Sequence, residues 1–447
     1  HRPSACPQAR PDSATPIDSD HAADWASDLN DMAWGRRVRL PGWRGWDKND
    51  LFAPHTAHTE ATVTLAIGPE GLFRPLADLF SRASTSIDLS IYTLEHPELC
   101  QILADAVGRG VQLRILLEGS PPGGIDDVQR WCVAQIARAG GDVRYMTPTD
   151  DAPKGAQPRF RFSHAKYGII DGRMTINGTE NFNTNSMPTT TNPPPGGRRG
   201  FYLFTDAAPV IQALQQIFAA DWAPDRFRDL RPYRADDEKY GDPPPDFVLP
   251  LPSVYTVFDA PFAQPLTVQA NARFEVVSAP ENALRPDAGL HAKLAAAGPG
   301  DEIMLVQLYE NKNWGATSSN PIADPNPRLQ LLIDAARRGA RVRLLLDSYF
   351  DEPEALRSNR ATTDYLRELA AREQLDLQVR LGNPTGGGIH AKLVLVRLGG
   401  EYWSAIGSLN GGEVSYKLNR EVVVLTDVYP VFTRLVDVFE HDWVLGK

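Results

Sequence analysis

The sequence predicts an α/β fold built twice, each copy a sandwich with a mostly parallel or mixed sheet between helices. Three observations carry this. The stretch STSIDLSIYTL…LCQILADAVGRGVQLRILLEG (84–119) returns as GDEIMLVQLYE…LQLLIDAARRGARVRLLLDS (300–348), with Arg109-Gly110 matching Arg338-Gly339. Further along, FSHAKYGIID (162–171) faces IHAKLVLVR (389–397), GTEN (178–181) faces GSLN (407–410), and FAADW (218–222) faces FEHDW (439–443). A duplicated domain with loop insertions keeps that order, whereas chance similarity does not. Within each copy, short β-branched or Leu-rich runs alternate with 3.6-period stretches, the alternation that places helices against a sheet.

Taken in order, residues 1–60 are polar, lack periodicity and hold Trp25, Trp34, Trp43 and Trp46, which reads as an arm packed over the repeats. The alternative for WGRRVRLPGWRGWDK (34–48) is contact with nucleic acid or an anionic membrane. The first lobe is expected over 61–230 and the second over 268–447. Within them PELCQILADAVGRG (97–110) and PRLQLLIDAARRG (327–339) read as helices, with Gly110 and Gly339 suited to their C-terminal caps. Between the lobes, 231–267 reads as an extended Pro-rich connector.

The 447 residues hold 46 Lys+Arg against 56 Asp+Glu, a net charge of −10, with 42% hydrophobic and 23% charged residues. That composition excludes wholesale disorder, collagen and coiled coil. Its acidity argues against a broad basic face for nucleic acid, though not against a local basic site. No apolar run approaches the roughly 20 residues that span a bilayer, so no transmembrane segment is expected. The chain opens with His1 rather than Met, as a processed product would; a secreted or cell-surface location is expected, with the cytoplasm as the alternative. Cys6, Cys100 and Cys132 are too few for a disulfide framework and lack metal-ligand spacing. Cys100 and Cys132 are expected to be small buried hydrophobes with no metal or redox role.

The chemistry lies in the repeated polar motifs. In a strand, residues i and i+2 share a face, so His164 projects with Lys166 and His390 with Lys392. Each pair is followed by a small polar turn, Gly178-Thr179-x-Asn181 and Gly407-Ser408-x-Asn410. A third His-x-Lys, His291-Ala292-Lys293, sits in a helical pattern without such a turn and is expected to be an accident. These paired motifs resemble those of the phospholipase D superfamily, over roughly residues 60–230 and 268–447. The resemblance implies two phospholipase D-like α-β-α lobes related by a pseudo-two-fold, with both motifs meeting at one site. It also implies attack on a phosphodiester by one His, giving a phosphohistidine, while the other protonates the leaving alcohol and then activates water. No metal or cofactor is implied, and family habit makes His164 the nucleophile.

That chemistry suits these residue types. Charge building on the phosphoryl oxygens needs cations and amide donors, here Lys166, Lys392, Asn181 and Asn410, with the Thr179 and Ser408 hydroxyls completing the cradle. Two histidines divide acid and base work if their environments push their pKa values apart.

Two departures from the family pattern stand out. The first motif keeps Asp171, but Arg397 occupies the matching place in the second. Strand parity turns Asp171 away from the His/Lys face, and Asp171-Gly172 suits a hairpin, so this Asp is expected to be structural. Downstream, the resemblance implies an acid that orients a catalytic His. Glu421 supplies one, but Gly200 stands opposite it in the first copy. In the loops that differ between copies, Arg198-Arg199 and Trp314 either meet substrate or lie on exposed surface. The expected activity is hydrolysis or transfer of a phospholipid head group at a membrane surface, in the manner of the cardiolipin synthase and bacterial phospholipase D branch. The alternatives are a nuclease of the same superfamily and a binding module with impaired catalysis. Both half-sites lie in one chain, so a monomer suffices.

Overall fold

The computed structural model describes residues 56–147, 159–189, 197–223, 227–250, 260–316 and 318–447. Trp25, Trp34, Trp43, Trp46 and Cys6 lie outside them.

The first lobe runs β1 (Ala57–Ile67), α1 (Phe73–Arg82), β2 (Ser86–Ile91), β3 (Leu94–Glu95), α2 (Pro97–Gly108), β4 (Gln112–Glu118), α3 (Asp127–Ala139) and β5 (Asp142–Met146). It continues through β6 (Tyr167–Ile170), β7 (Met174–Gly178), β8 (Phe182–Asn183), β9 (Phe201–Thr205), α4 (Ala208–Asp221) and β10 (Leu230–Pro232). The second lobe repeats the plan. It runs β11 (Leu266–Ala279), α5 (Gly289–Ala296), β12 (Glu302–Gln307), α6 (Pro327–Arg337), β13 (Arg341–Asp347), α7 (Asn359–Glu373) and β14 (Leu377–Gly382). Then come β15 (Lys392–Leu398), β16 (Glu401–Gly407), α8 (Glu413–Lys417), β17 (Glu421–Thr426) and α9 (Tyr429–Leu445).

Fifteen of the strands form one mixed sheet in the order β10-β5-β4-β2-β6-β7-β9-β1-β11-β17-β16-β15-β12-β13-β14. Reading outward from the centre gives seven equivalent strands on each side, with β10 an extra strand at the edge of the first lobe, which is the pseudo-two-fold written in topology. At the centre β1 and β11 pair antiparallel from Ala57↔Phe274 to Leu65↔Leu266. Strand alternation then sends Val63 and Leu65 into an apolar cluster shared by both lobes under α4 and α9. Each lobe keeps its own second cluster on the opposite helical layer.

The repeated Arg-Gly pairs finish α2 and α6. Gly110 and Gly339 take the positive φ of a helix stop. Arg109 reaches Ser81 O at 2.9 Å and Arg338 reaches Ala297 O at 2.8 Å, tying each helix to the end of the one before it.

Two expectations need correction. Cys100 on α2 and Cys132 on α3 are buried but not mere hydrophobes: they form a disulfide with a Cα–Cα distance of 5.4 Å. Their helices bring together two residues 32 apart in sequence, which spacing alone did not reveal. The connector is not extended throughout. Its first residues pair with β5 in β10, and buried Tyr240 packs on Tyr145 with ring centroids 4.7 Å apart. Among the described residues, no helix is long and apolar enough to cross a membrane.

Candidate active site

His164 and Lys166 lie in the extended segment just before β6, and His390 sits two residues before Lys392, the first residue of β15. All four are buried. What holds each histidine is backbone from the other lobe. His164 N–H donates to Arg420 O at 3.0 Å and His390 N–H to Arg199 O at 2.9 Å. Single parallel bridges, Ser163↔Arg420 and Arg199↔Ile389, mark the same exchange.

The side chains of those two arginines lock it. Arg420 forks onto Asp221 at 2.8 and 2.9 Å, and Arg199 onto Asp442 at 2.7 and 3.1 Å, each reaching the opposite lobe. Each also meets a glutamate of its own lobe, Glu281 at 2.6 Å and Glu70 at 3.5 Å. Asp221 and Asp442 are the acids of the FAADW and FEHDW repeats. Arg199 is 2% exposed and fully committed, so the substrate contact expected of it is replaced by a role at the lobe interface. Its neighbour Arg198 is also buried, 5.0 Å from the Phe350 ring.

The orienting carboxylates cross over as well. Both oxygens of Glu421 lie within reach of His164 Nδ1, at 2.9 and 2.8 Å, and Asn419 donates to the same carboxylate at 3.1 Å. In the other direction Glu180 Oε2 stands 3.1 Å from His390 Nδ1. Burial opposes ionisation of Glu180, but His390, Lys392 and the Thr179 hydroxyl hold its pKa below the usual carboxylate value. Glu180 is thus the acid that Gly200 lacks, moved into the Asn turn itself. Its only signal in the sequence is a Glu in GTEN where GSLN has Leu409. A ring donating Nδ1–H to a carboxylate carries its lone pair, when neutral, on Nε2.

The lysines behave alike. Lys166 Nζ returns to His164 O at 2.7 Å and Lys392 Nζ to His390 O at 2.8 Å. Lys392 also donates to Thr179 O of the first lobe at 3.2 Å and lies 3.2 Å from His390 Nδ1. Tyr92 packs edge-on to His164, 5.0 Å between centroids, and lies under Lys166. Asn410 accepts from Gln307 at 3.0 Å, while Asn181, in the matching turn, is buried. The hydroxyls differ from expectation. Thr179 Oγ1 accepts from Phe201 N–H at 3.0 Å and donates to Glu180 at 2.8 Å; Ser408 Oγ accepts from Val422 N–H at 3.1 Å. They close the turns against the neighbouring strand rather than completing a substrate cradle.

Trp314 is likewise corrected. It is 3% exposed, 5.3 Å from Tyr416, with its indole N–H aimed at Gly411 O, and so belongs to the second lobe's core. His291-Ala292-Lys293 does lie in a helix, α5, where Lys293 pairs with Glu275 and covers the Trp403 ring. Asp171 takes φ 54° in the β6–β7 hairpin and accepts the N–H groups of Ser84, Thr85 and Ser86. In the second lobe the polarity is reversed. Asp301, just before β12, accepts Gly399 N–H from the β15–β16 hairpin, and Arg397 lies 3.8 Å from Glu302. The same hairpin is tied by an acid on the other partner, so Arg397 removes nothing from the site.

The family described as "Cardiolipin synthase, PLD-like domain" matches residues 76–222 and 317–443, more than half of the chain. Cardiolipin synthase A of Pseudomonas fluorescens (strain SBW25) is 25% identical over 376 residues, covering 81% of this chain and 64% of that protein. Mitochondrial cardiolipin hydrolase of Xenopus tropicalis is 25% identical over 153 residues, 34% of this chain and 62% of that protein. The chain therefore spans less than two thirds of the length of these relatives. The structure of phosphatidylserine synthase from Haemophilus influenzae Rd KW20 superposes with a TM-score of 0.55 at 11% identity, covering 86% of this chain and 87% of the other, a likeness of fold.

Proposed function

The chain belongs to the phospholipase D-like family of cardiolipin synthase domains, and on that premise we propose that it hydrolyses or transfers phospholipid head groups without a metal, through a phosphohistidine. The observation that carries this reading is the pair of crossed histidine–carboxylate contacts, His164–Glu421 and His390–Glu180, each made only when both lobes are in place.

In this reading Nε2 of His164 attacks phosphorus as the P–O bond to the head-group alcohol breaks, and His390 gives its proton to the departing oxygen. Water then loses a proton to His390, attacks phosphorus and breaks the P–N bond, leaving the lipid phosphomonoester. An alcohol in place of that water gives head-group exchange. Lys166, Lys392, Asn181 and Asn410 absorb charge on the phosphoryl oxygens. The carboxylates stabilise imidazolium when it forms, as the acid of a serine-protease triad does. Similarity to a cardiolipin synthase and a cardiolipin hydrolase supports the lipid substrate; in this reading it is met at a membrane surface, and a monomer suffices because both half-sites lie in one chain. The Cys100–Cys132 disulfide supports a secreted or cell-surface location, since such bonds persist in oxidising compartments.

The experiment is release of choline or ethanolamine from phospholipid vesicles, with and without EDTA. Release by wild type in EDTA, lost in His164→Ala and His390→Ala, is expected, as is a phosphorylated peptide containing His164. Equal release by the variants, or none by wild type, overturns the reading.

A further inference from the structure

Two further buried acids stand at equivalent places in the lobes. Glu118 ends β4 and Asp347 ends β13, and both are shielded from solvent. Each spreads its two oxygens over two backbone segments. Glu118 accepts Ser120 N–H at 2.7 Å through Oε1 and Ser163 N–H at 2.6 Å through Oε2. Asp347 accepts Phe350 N–H at 2.6 Å through Oδ2 and Ile389 N–H at 2.6 Å through Oδ1.

Ser163 and Ile389 are the residues immediately before His164 and His390. The next N–H in each case belongs to the histidine and donates across the interface, to Arg420 O and Arg199 O. The peptide entering each histidine is therefore gripped on successive N–H groups, first by a carboxylate of its own lobe and then by a carbonyl of the other. Neither acid has an ion pair among the described residues, so the short contacts to N–H groups are what offsets its burial.

We propose that Glu118 and Asp347 are positioning residues: ionised, they hold the peptides that enter His164 and His390, and so set each imidazole against its carboxylate across the lobes. Protonation turns one oxygen into a donor facing an N–H and releases that grip. Burial pushes Glu118 up to about 7, with the two amides, Arg161 and His164 pulling it back. Lys239 also faces this end of β4, donating to the Ser120 hydroxyl at 3.0 Å. Burial pushes Asp347 up to about 8 against its amide donors, and Asp351 adds to the rise.

The assignment rests on the phosphodiesterase reading, so its test has one readout that needs no turnover. Glu118→Gln and Asp347→Asn keep the shape and lose the second acceptor. Amide hydrogen exchange read by mass spectrometry is expected to quicken in the peptides carrying Ser163–His164 and Ile389–His390, and to stay at wild-type rates in the sheet centre. In the vesicle assay kcat is expected to fall by between about tenfold and a hundredfold, the cost of a small misplacement of reacting groups, with KM unchanged. Wild-type activity should decline as pH drops through about 8 and about 7, with a flatter acid limb in the double variant. Glu118→Asp and Asp347→Glu should recover part of the rate. Wild-type exchange at both peptides overturns the proposal whether or not lipid is turned over. So does quickened exchange throughout the chain, which would make the acids general supports of the fold.

Discussion

A Cβ on Gly200 would fall 1.9 Å from Oε1 of Glu180. The two residues share one volume: the carboxylate that faces His390 occupies the space a side chain at 200 would fill. In the second lobe the arrangement is inverted, with Glu421 at the strand start and Leu409 in the turn. Gly200→Ala is therefore expected to lower kcat about as much as Glu180→Ala, by at least about a hundredfold, as when a catalytic His loses its orienting acid. The double variant Glu180→Leu with Gly200→Glu copies the second lobe and should recover activity relative to either single change. Vesicle turnover of the three variants checks this, and a double variant no better than Gly200→Ala would refute it.

The crossed arginine forks make a prediction about stability. Arg199 and Arg420 are buried between acids of both lobes, so Asp442→Ala or Asp221→Ala removes the forked partner and leaves a buried guanidinium with only the glutamate of its own lobe. Removing one partner of such a pair costs about 3–5 kcal/mol. Denaturant unfolding should show a loss approaching that order for each variant, and Arg199→Lys should itself lose stability, since an ammonium lacks the planar fork. Loss of activity without loss of stability would place Arg199 back at the substrate.

How much of this was legible beforehand depends on what the repeat preserved. The alternation of strands and helices, the His-x-K motifs and the Asn turns were readable because both copies keep them in register. Glu180 was not, because the acid had moved to a position where the other copy holds Leu409, and only the third dimension brings 180 beside 200. Arg199 reads from the sequence as a cation that meets substrate or lies on exposed surface in a loop that differs between the copies; its equivalence to Arg420 becomes visible once each is seen against the acid of a DW pair. Glu118 and Asp347 stood in quoted repeats, LLEG and LLLDS, but their targets, Ser163 and Ile389, are distant in sequence. Cys100 and Cys132 were counted rather than placed.

The hairpin acid predicts a pH effect of defined sign. Burial opposes ionisation of Asp171, but the N–H groups of Ser86, Thr85 and Ser84 and the Thr85 hydroxyl win and hold its pKa well below the usual range. A carboxyl depressed on folding stabilises the native state above its unfolded value of about 3.9, and that contribution disappears as pH falls through the folded value. Asp171→Asn should thus be less stable than wild type at neutral pH, with the gap closing in acid. Thermal unfolding of both proteins across pH checks it; a gap constant with pH would mean the contribution is packing rather than charge.

The disulfide predicts a thiol count and a stability change. Cys100 and Cys132 are bonded and Cys6 is the third cysteine of the chain, so the protein denatured without reductant should expose one reactive thiol, and three after reduction. The bridge joins residues 32 apart on α2 and α3. Closing a loop of that length restricts the unfolded chain by about 3–4 kcal/mol in the chain-entropy account. Cys100→Ala with Cys132→Ala also removes sulfur from a well-packed cluster, so comparing oxidised with reduced wild type isolates the crosslink better than mutation does. Reduction should lower the melting temperature while leaving vesicle turnover at moderate temperature unchanged, because α2 and α3 lie on the helical layer opposite the shared cluster and contribute no side chain to the crossed histidine pairs. Three reactive thiols before reduction would contradict the bond itself.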